Sequence, residues 1–553
     1  MTPGLLILLV STLTVGAASA EATHGMVATV HPVATAAGLR VLKEGGNAID
    51  ATVAVALTLG VVDGVNSGIG GGCFMLIHRG DGALVAIEGR ETAPAAATAD
   101  MFVRNGRADT KLSQTGPLAS GVPGALAVYE FAVEHYGKRK LSDLILPAAE
   151  LADGGFVLDK SYALNLKGVA AEMGQFSSSR AVFFKKAKPL ARDDVLKQPE
   201  LAATYRSIAG QGSDWFYRGP FAQAVEQWMK RNGGILTAED FRSYKVSLRD
   251  PVCSSYRGYT IIGFPPPSSG GVHVAQMLNI LDNFNLPSLG EAERLHVMTE
   301  AMKLAFADRA YWLGDPEFVK VPRGLMDRNY AATLAGKINR EHVALVSSQG
   351  APPDWETDVF KKHTTHFSVA DADGNWVACT ATINTSFGSK VVIPGTGVVM
   401  NNQMDDFSIQ PGVSNYFGLI GGHANAVAPG KRPLSSMSPT LVLKDGNPIV
   451  ALGAAGGPKI ISQVELELVC LLDLGMSPEE TLAQPRIHHQ WSPNQLMIEK
   501  ALPSRVQAEL ARRGHKLKKL PAMGVSQIVA RSPDGKGFVG AADPRAGGNA
   551  AGW

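Results

Sequence analysis

THFSVADADGNWVACTATI, residues 365–383, decides the fold class. Apolar and polar residues alternate on both sides of Asp373-Gly374, which is the period of a half-buried strand. Asp-Gly between two such runs is the strongest short-range hairpin signal, because the turn demands residues that tolerate positive φ. The device recurs at Asp81-Gly82 in CFMLIHRGDGALVAIEG, at Asp445-Gly446 in TLVLKDGNPIVALG and at Asp534-Gly535 in SQIVARSPDGKGFVGAAD. These hairpins predict antiparallel sheets. Helix-period stretches occur at 124–136, 272–283, 294–313 and 460–474. In the third, Leu295, Met298, Met302, Ala305 and Phe306 follow i, i+3, i+4 spacing, and Gly314-Asp315-Pro316 stops the pattern. Residues 47–62, NAIDATVAVALTLGVV, are too apolar for a surface helix and predict a buried one. Sheets bearing helices on their faces make an α+β, layered architecture.

Composition narrows the function classes. A length of 553 residues suggests three or four domains at about 150 residues each. Charged residues are 18%, below the roughly 25% usual in soluble proteins. Lys+Arg 52 against Asp+Glu 50 leaves +2, which excludes a strongly basic nucleic-acid binder and an acidic disordered chain. The basic stretches at 177–195 and 512–519 (RRGHKLKK) read as solvated surface, since no aromatic ladder is interleaved with them. Cys73, Cys253, Cys379 and Cys470 are far apart without a CxxC, so neither a disulfide scaffold nor a zinc site is predicted. His488-His489 is adjacent rather than i,i+4 and reads as structural.

Residues 5–10 are LLILLV, and Ala18-Ser19-Ala20 precedes Glu21. This is the pattern of a secretory signal, residues 1–20, cut after Ala20, although Met1 has no Lys or Arg near it to form the usual basic n-region; the rival is an uncleaved anchor. No later stretch reaches about 18 uninterrupted apolar residues. The expectation is an exported chain, periplasmic or secreted, with no stable membrane span. Residues 343–363 are polar and breaker-rich, an exposed loop where a chain can be cut without losing its core.

The chemistry is not of the commonest kinds: G-x-S-x-G, Walker A and G-x-G-x-x-G are absent. The remaining candidates are hydroxyl, amide and carboxylate residues in TTH (364–366), TATIN (380–384), NNQMDDF (401–407), KRPLSSMSP (431–439) and GAAGG (453–457). Together with GGNAIDATVAV, RETAP, PPPSSGG, LGDPEFVKVP and ADPR, these motifs run from about residue 24 to 545. With them the sequence resembles the γ-glutamyltransferase (γ-glutamyl transpeptidase) family of N-terminal-nucleophile hydrolases. The resemblance implies one interwoven domain, a four-layer αββα sandwich of two antiparallel sheets flanked by helices.

It also implies self-cleavage of the His363–Thr364 bond by the Thr364 hydroxyl through an N→O acyl shift. The products would be a large subunit, 21–363, and a small subunit, 364–553, held as a heterodimer. A threonine hydroxyl is a poor nucleophile without a base beside it. An α-amino group, with a reference pKa of about 7.7–8, is well matched to that task. Inside a chain the same nitrogen is an amide. Cleavage therefore creates nucleophile and base on one residue. Thr365 is the local rival, and the resemblance places the cut before the first threonine.

By the same resemblance, Thr382 supports the nucleophile, and Gly456 and Gly457 offer backbone N–H groups as an oxyanion hole. Arg90, Ser435 and Ser436 would bind the α-carboxylate of a γ-glutamyl group, and Asn384, Gln403 and Asp406 its α-ammonium. Of the Asp405-Asp406 pair only the second aligns with the ligand. A strand beginning at 377 would set Thr380, Thr382 and Asn384 on one face. Three departures stand out. Phe417 occupies the lid position where many relatives carry tyrosine, Ala454-Ala455 stands where they often have Ser-Pro, and Pro458 where they often have serine. The implied activity is transfer of the γ-glutamyl group of glutathione and related amides, through an acyl-enzyme, to water or to amino acids and peptides. It needs no cofactor or metal and no nucleic-acid partner. The alternatives are a cephalosporin- or glutaryl-acylase-like enzyme on the same scaffold, or a non-enzymatic exported binding protein whose chain stays uncut.

Overall fold

In the computed structural model, which describes residues 18–353 and 366–553, two seven-stranded antiparallel sheets lie face to face. One has the order Ala18–Ala22, Phe538–Ala542, Val525–Arg531, Asn447–Ala455, Thr440–Lys444, Tyr259–Gly263, Val252–Tyr256. The other runs Ser247–Arg249, Leu84–Gly89, Gly72–His78, Trp376–Thr382, Phe367–Asp371, Gly25–Thr29, Asn549–Gly552. All four Asp-Gly turns close hairpins between sequence-adjacent strands. Both sheets mix strands from before residue 354 with strands from after residue 365, so the two stretches are interleaved.

The strand period sorts side chains into layers. Trp376 and Ala378 point between the sheets, where they meet Leu441, Ala451, Val529 and Phe538. Val377 and Cys379 point the other way, into a core with the helices Ala48–Val62 and Ala125–Tyr136. On the far side, Val442, Val450, Leu452 and Ile528 pack under Gly270–Leu281, Glu291–Trp312 and Lys459–Leu472. The result is helix, sheet, sheet, helix: the αββα sandwich expected from the sequence. Every residue of Ala48–Val62 is buried, and Asn47 and Asp50 form its capping box.

The basic side chains of both stretches, Lys185, Lys186 and Lys188 in one and Arg512, Lys516, Lys518 and Lys519 in the other, are exposed as expected, but other residues among them are built into the fold. Leu517–Leu520 is a strand, and His515 is buried with Nε2 2.7 Å from Nδ1 of His296, a partner 219 residues away that no local pattern reveals. Within 177–195, Ser177–Phe183 is a helix with Ser179 and Phe183 buried, while Lys185 and Lys186 are exposed. Cys73, Cys379 and Cys470 are buried free thiols and Cys253 is an exposed one. No helix among the described residues is long and apolar enough to cross a membrane. The signal sequence falls largely on residues 1–17, outside the described residues, and Ala18–Ala22 is an edge strand paired to Phe538–Ala542.

The strand Trp376–Thr382 that will carry the site is pressed against Gly71: a Cβ there would sit 1.9 Å from the Thr382 carbonyl oxygen. Gly71→Ala is therefore expected to cost about 1–3 kcal/mol by overpacking and to push Thr382 out of place. A denaturant melt run beside a kinetic assay checks both.

Candidate active site

Where the strand Trp376–Thr382 ends, a cavity of about 230 Å³ opens between the sheets. Thr380 and Thr382 share its wall, as the two-residue period requires. Asn384 also lines it, but for another reason: the strand has ended, and Asn384 adopts a left-handed φ of 79°. Thr382 Oγ1 takes the Asn384 N–H at 2.8 Å, and Asn384 Nδ2 donates to the Asn402 carbonyl at 3.0 Å.

Gln403 and Asp406 form a second wall, on a short 3-10 turn stapled by Asn401. The Asn401 side chain accepts from Gly121 N–H and Gln403 N–H and donates to the Gly70 and Gly121 carbonyls. Gln403 Nε2 donates to Asp406 Oδ2 at 3.1 Å. Its Oε1 is buried with no partner among the described residues. That orphan acceptor, beside a carboxylate, suits a cationic donor. Burial raises the Asp406 carboxyl above its ordinary range, while Arg90, Arg309 and Gln403 draw it back down.

Ser435 and Ser436 form a third wall. The PPPSSGG segment fixes them: Ser435 N–H donates to the Pro267 carbonyl at 2.7 Å, and Ser269 N–H to the Ser435 carbonyl at 2.8 Å. Gly456 and Gly457 close the cavity. They lie between the strand Asn447–Ala455 and the helix Lys459–Leu472, whose positive N-terminal end they precede. Their φ values of 138° and 62° favour glycine. Phe417 packs its ring on Gly457, where a Cβ would lie 2.5 Å from Phe417 Cδ1.

Arg90 lies behind these walls, 1% exposed. Its Nε donates to the Pro433 carbonyl at 3.0 Å and its Nη2 to Asp406 Oδ2 at 2.5 Å. The positive and negative ends of the predicted clamp thus pair with each other. Among the described residues Nη1 has no hydrogen-bond partner, although Glu91 Oε2 is 3.6 Å away.

Three contributors escaped the sequence reading. Arg309 donates from Nη2 to Ser436 Oγ and from Nε to Ser269 Oγ, both at 2.9 Å. Burial lowers its guanidinium to about 10, partly opposed by Asp406. In sequence it merely ends an amphipathic helix; its one signal is a cation inside the apolar run AFADRAYW. Asp405 points away from the cavity, accepting Ser113 Oγ at 2.6 Å and the Tyr416 N–H at 2.9 Å. Gln490 reaches the loop that carries Phe417. The predicted His363 and Thr364 lie outside the described residues.

The chain matches the family model described as Gamma-glutamyltranspeptidase over residues 34–553. It belongs to that family. The glutathione hydrolase proenzyme of Escherichia coli (strain K12) is 44% identical over 532 residues, covering 95% of this chain and 91% of that protein. A solved cephalosporin acylase from Bacillus halodurans superposes with a TM-score of 0.87 at 30% identity, covering 100% of this chain and 99% of that one. The γ-glutamyltranspeptidase of Helicobacter pylori superposes with a TM-score of 0.57 at 42% identity, covering 62% of this chain and 97% of that one.

Among the described residues of this γ-glutamyltranspeptidase-family chain, His296, Glu300 and His515 could together face a metal ion. They already satisfy one another's neighbourhood. His296 Nε2 meets the Asn339 carbonyl at 2.7 Å, Nδ1 meets His515, and the Lys303 ammonium lies 2.8 Å from Glu300. A dication would have to displace that lysine and part the two rings, so the set fits a hydrogen-bonded network better.

Proposed function

We propose that Thr364 and the cavity residues carry out γ-glutamyl transfer and hydrolysis, with cleavage before Thr364 activating the enzyme. One observation carries the substrate assignment: the cavity sets acceptors (Asp406 and the orphan Gln403 Oε1) beside hydroxyl donors (Ser435, Ser436), with Arg90 behind both. That is the pattern of an α-amino acid head group, an ammonium and a carboxylate on one carbon. Inserting it between Arg90 and Asp406 exchanges one ion pair for two.

In the reaction, the Thr364 hydroxyl attacks the γ-carbonyl while its own α-amine takes the proton. Gly456 and Gly457 N–H groups hold the oxyanion, donors worth about 3–4 kcal/mol each in comparable sites. The α-amine passes that proton to the substrate's leaving nitrogen, which departs as an amine, and water or an amine acceptor, deprotonated by the same α-amine, then opens the ester. Relatives known as glutathione hydrolase proenzymes support both the donor class and processing into two subunits. An export signal at 1–20 would place the enzyme outside the cytoplasm.

Likeness to the cephalosporin acylase keeps a glutaryl donor as the second reading. Glutaryl has the carboxylate but no ammonium, and would leave Gln403 Oε1 unpaired at about 1–3 kcal/mol. A denaturing gel and paired assays on γ-glutamyl and glutaryl anilides test this. Two bands and γ-glutamyl turnover about a hundredfold faster or more are expected. One uncut band without turnover, or faster glutaryl cleavage, refutes the assignment. The pH response follows from Asp406. Only its ionised form holds an ammonium, and burial raises its pKa. Product inhibition by glutamate is therefore expected to weaken as pH falls from neutral, beginning above the ordinary carboxylate range; inhibition constants across pH check it.

A further inference from the structure

We propose that Gln490 is the latch that holds the lid over the acyl pocket and so sets how the acyl group divides between water and an amine acceptor. The inference rests on the γ-glutamyl reading above. The lid is the turn Asn415–Leu419. Asn415 N–H donates to the Leu419 carbonyl at 3.0 Å, and Asn415 Oδ1 takes the N–H groups of Phe417 (3.1 Å) and Leu419 (3.0 Å). Phe417 and Leu419 line the cavity, and the Phe417 ring rests on Gly457.

Two side chains from elsewhere hold this turn. Asp405 takes the Tyr416 N–H at its start. Gln490 Nε2 donates to the Gly418 carbonyl at 2.9 Å and to the Phe417 carbonyl at 3.3 Å, gripping the tip. The carboxamide cannot turn over, because its oxygen would then face the Phe417 and Gly418 carbonyls; as it stands, Oε1 lies 3.0 Å from His488 Nε2. His488 Nδ1 in turn meets Ser462 Oγ at 2.6 Å. Burial pushes His488 down to about 3, so the ring is neutral. It donates from Nε2 to Gln490 and accepts from Ser462 at Nδ1. Ser462 belongs to Lys459–Leu472, the helix that follows Gly456-Gly457. The chain Ser462, His488, Gln490 therefore ties the lid to the element that positions the oxyanion glycines. Phe417 has no hydroxyl with which to anchor the lid, so the grip falls on main-chain carbonyls.

A lid excludes water from a reactive ester and retains the donor. Loosening it raises donor KM and the share of hydrolysis. The test uses the processed enzyme carrying Gln490→Ala or Gln490→Glu. Glutamate keeps the size and the His488 contact but turns an acceptor oxygen towards the Phe417 and Gly418 carbonyls. With γ-glutamyl anilide as donor and glycylglycine as acceptor, both variants are expected to raise the ratio of hydrolysis to transfer about three- to tenfold, the scale of one or two lost hydrogen bonds. Donor KM rises while kcat stays within about twofold, because the reacting groups are untouched. Amide hydrogen exchange quickens at Phe417–Leu419 and not in Lys459–Leu472. An unchanged ratio and unchanged exchange overturn the proposal. So does a fall in kcat and melting temperature together at constant ratio, or failure of both variants to fold, since either makes Gln490 a structural residue. If the parent itself lacks γ-glutamyl turnover, the functional reading fails, and the exchange measurement still decides the latch.

Discussion

Thr364→Ala is expected to yield a single uncut chain with γ-glutamyl turnover lowered by on the order of a millionfold, the scale of nucleophile loss in other acyl-transfer enzymes. On the proposed reading the hydroxyl is needed twice, first to attack its own upstream carbonyl and later the substrate. The base is lost with it, because the α-amine exists only after the cut. Alanine keeps the backbone, and the sheets are built from hairpins that close without residue 364. The uncut variant should therefore fold. Intact mass, a thermal melt and a γ-glutamyl anilide assay on one preparation check all three statements. Two fragments, or turnover near that of the parent, would refute Thr364 as nucleophile and move attention to Thr365. Thr364→Ser, which keeps the hydroxyl, should still cut and turn over.

Arg90→Ala is expected to lower kcat/KM for a γ-glutamyl donor by about a thousandfold or more and to destabilise the fold by about 3–5 kcal/mol, the usual cost of breaking a buried ion pair from one side. Arg90 is 1% exposed and Glu91 0% exposed. Removing the guanidinium leaves Glu91 and Asp406 without their nearest cation and the Pro433 carbonyl without its donor. Arg309 lies close enough to influence Asp406 but is committed to Ser269 and Ser436. Arg90→Lys should fall between alanine and parent. It keeps the charge but cannot reach Pro433, Asp406 and the substrate in one geometry. Chemical denaturation and steady-state kinetics on both variants decide it. Parent-like stability with less than a tenfold change in KM for Arg90→Ala would remove Arg90 from the clamp.

The same residue shows where sequence reading stops. RETAP marked Arg90, and NNQMDDF marked Asp406, as two ends of one clamp. That their side chains touch across 316 positions is a tertiary fact. Asp405 is a similar case. The pair Asp405-Asp406 gives no reason to separate the two residues, yet one faces the cavity and the other restrains the lid. His488 was legible as structural rather than metal-binding. Its service to Gln490, and Gln490's to the lid, was not, because both depend on how the segment 487–491 packs against a turn some 70 residues earlier.

The sequence alone determined the hairpins, the buried helix Ala48–Val62 and a layered α+β class, which rest on local signals: the period of two or 3.6 and Asp-Gly turn chemistry. The four-layer αββα arrangement followed from the resemblance that its ordered motifs carry. Tertiary structure alone decided which walls meet in the cavity, which charges cancel there, and which side chains hold the lid. Those contacts join strands and loops hundreds of residues apart. Their geometry is set by how the inner faces of two sheets interlock around Trp376, Leu441, Ala451 and Val529, a fit of shapes that no stretch of sequence encodes by itself.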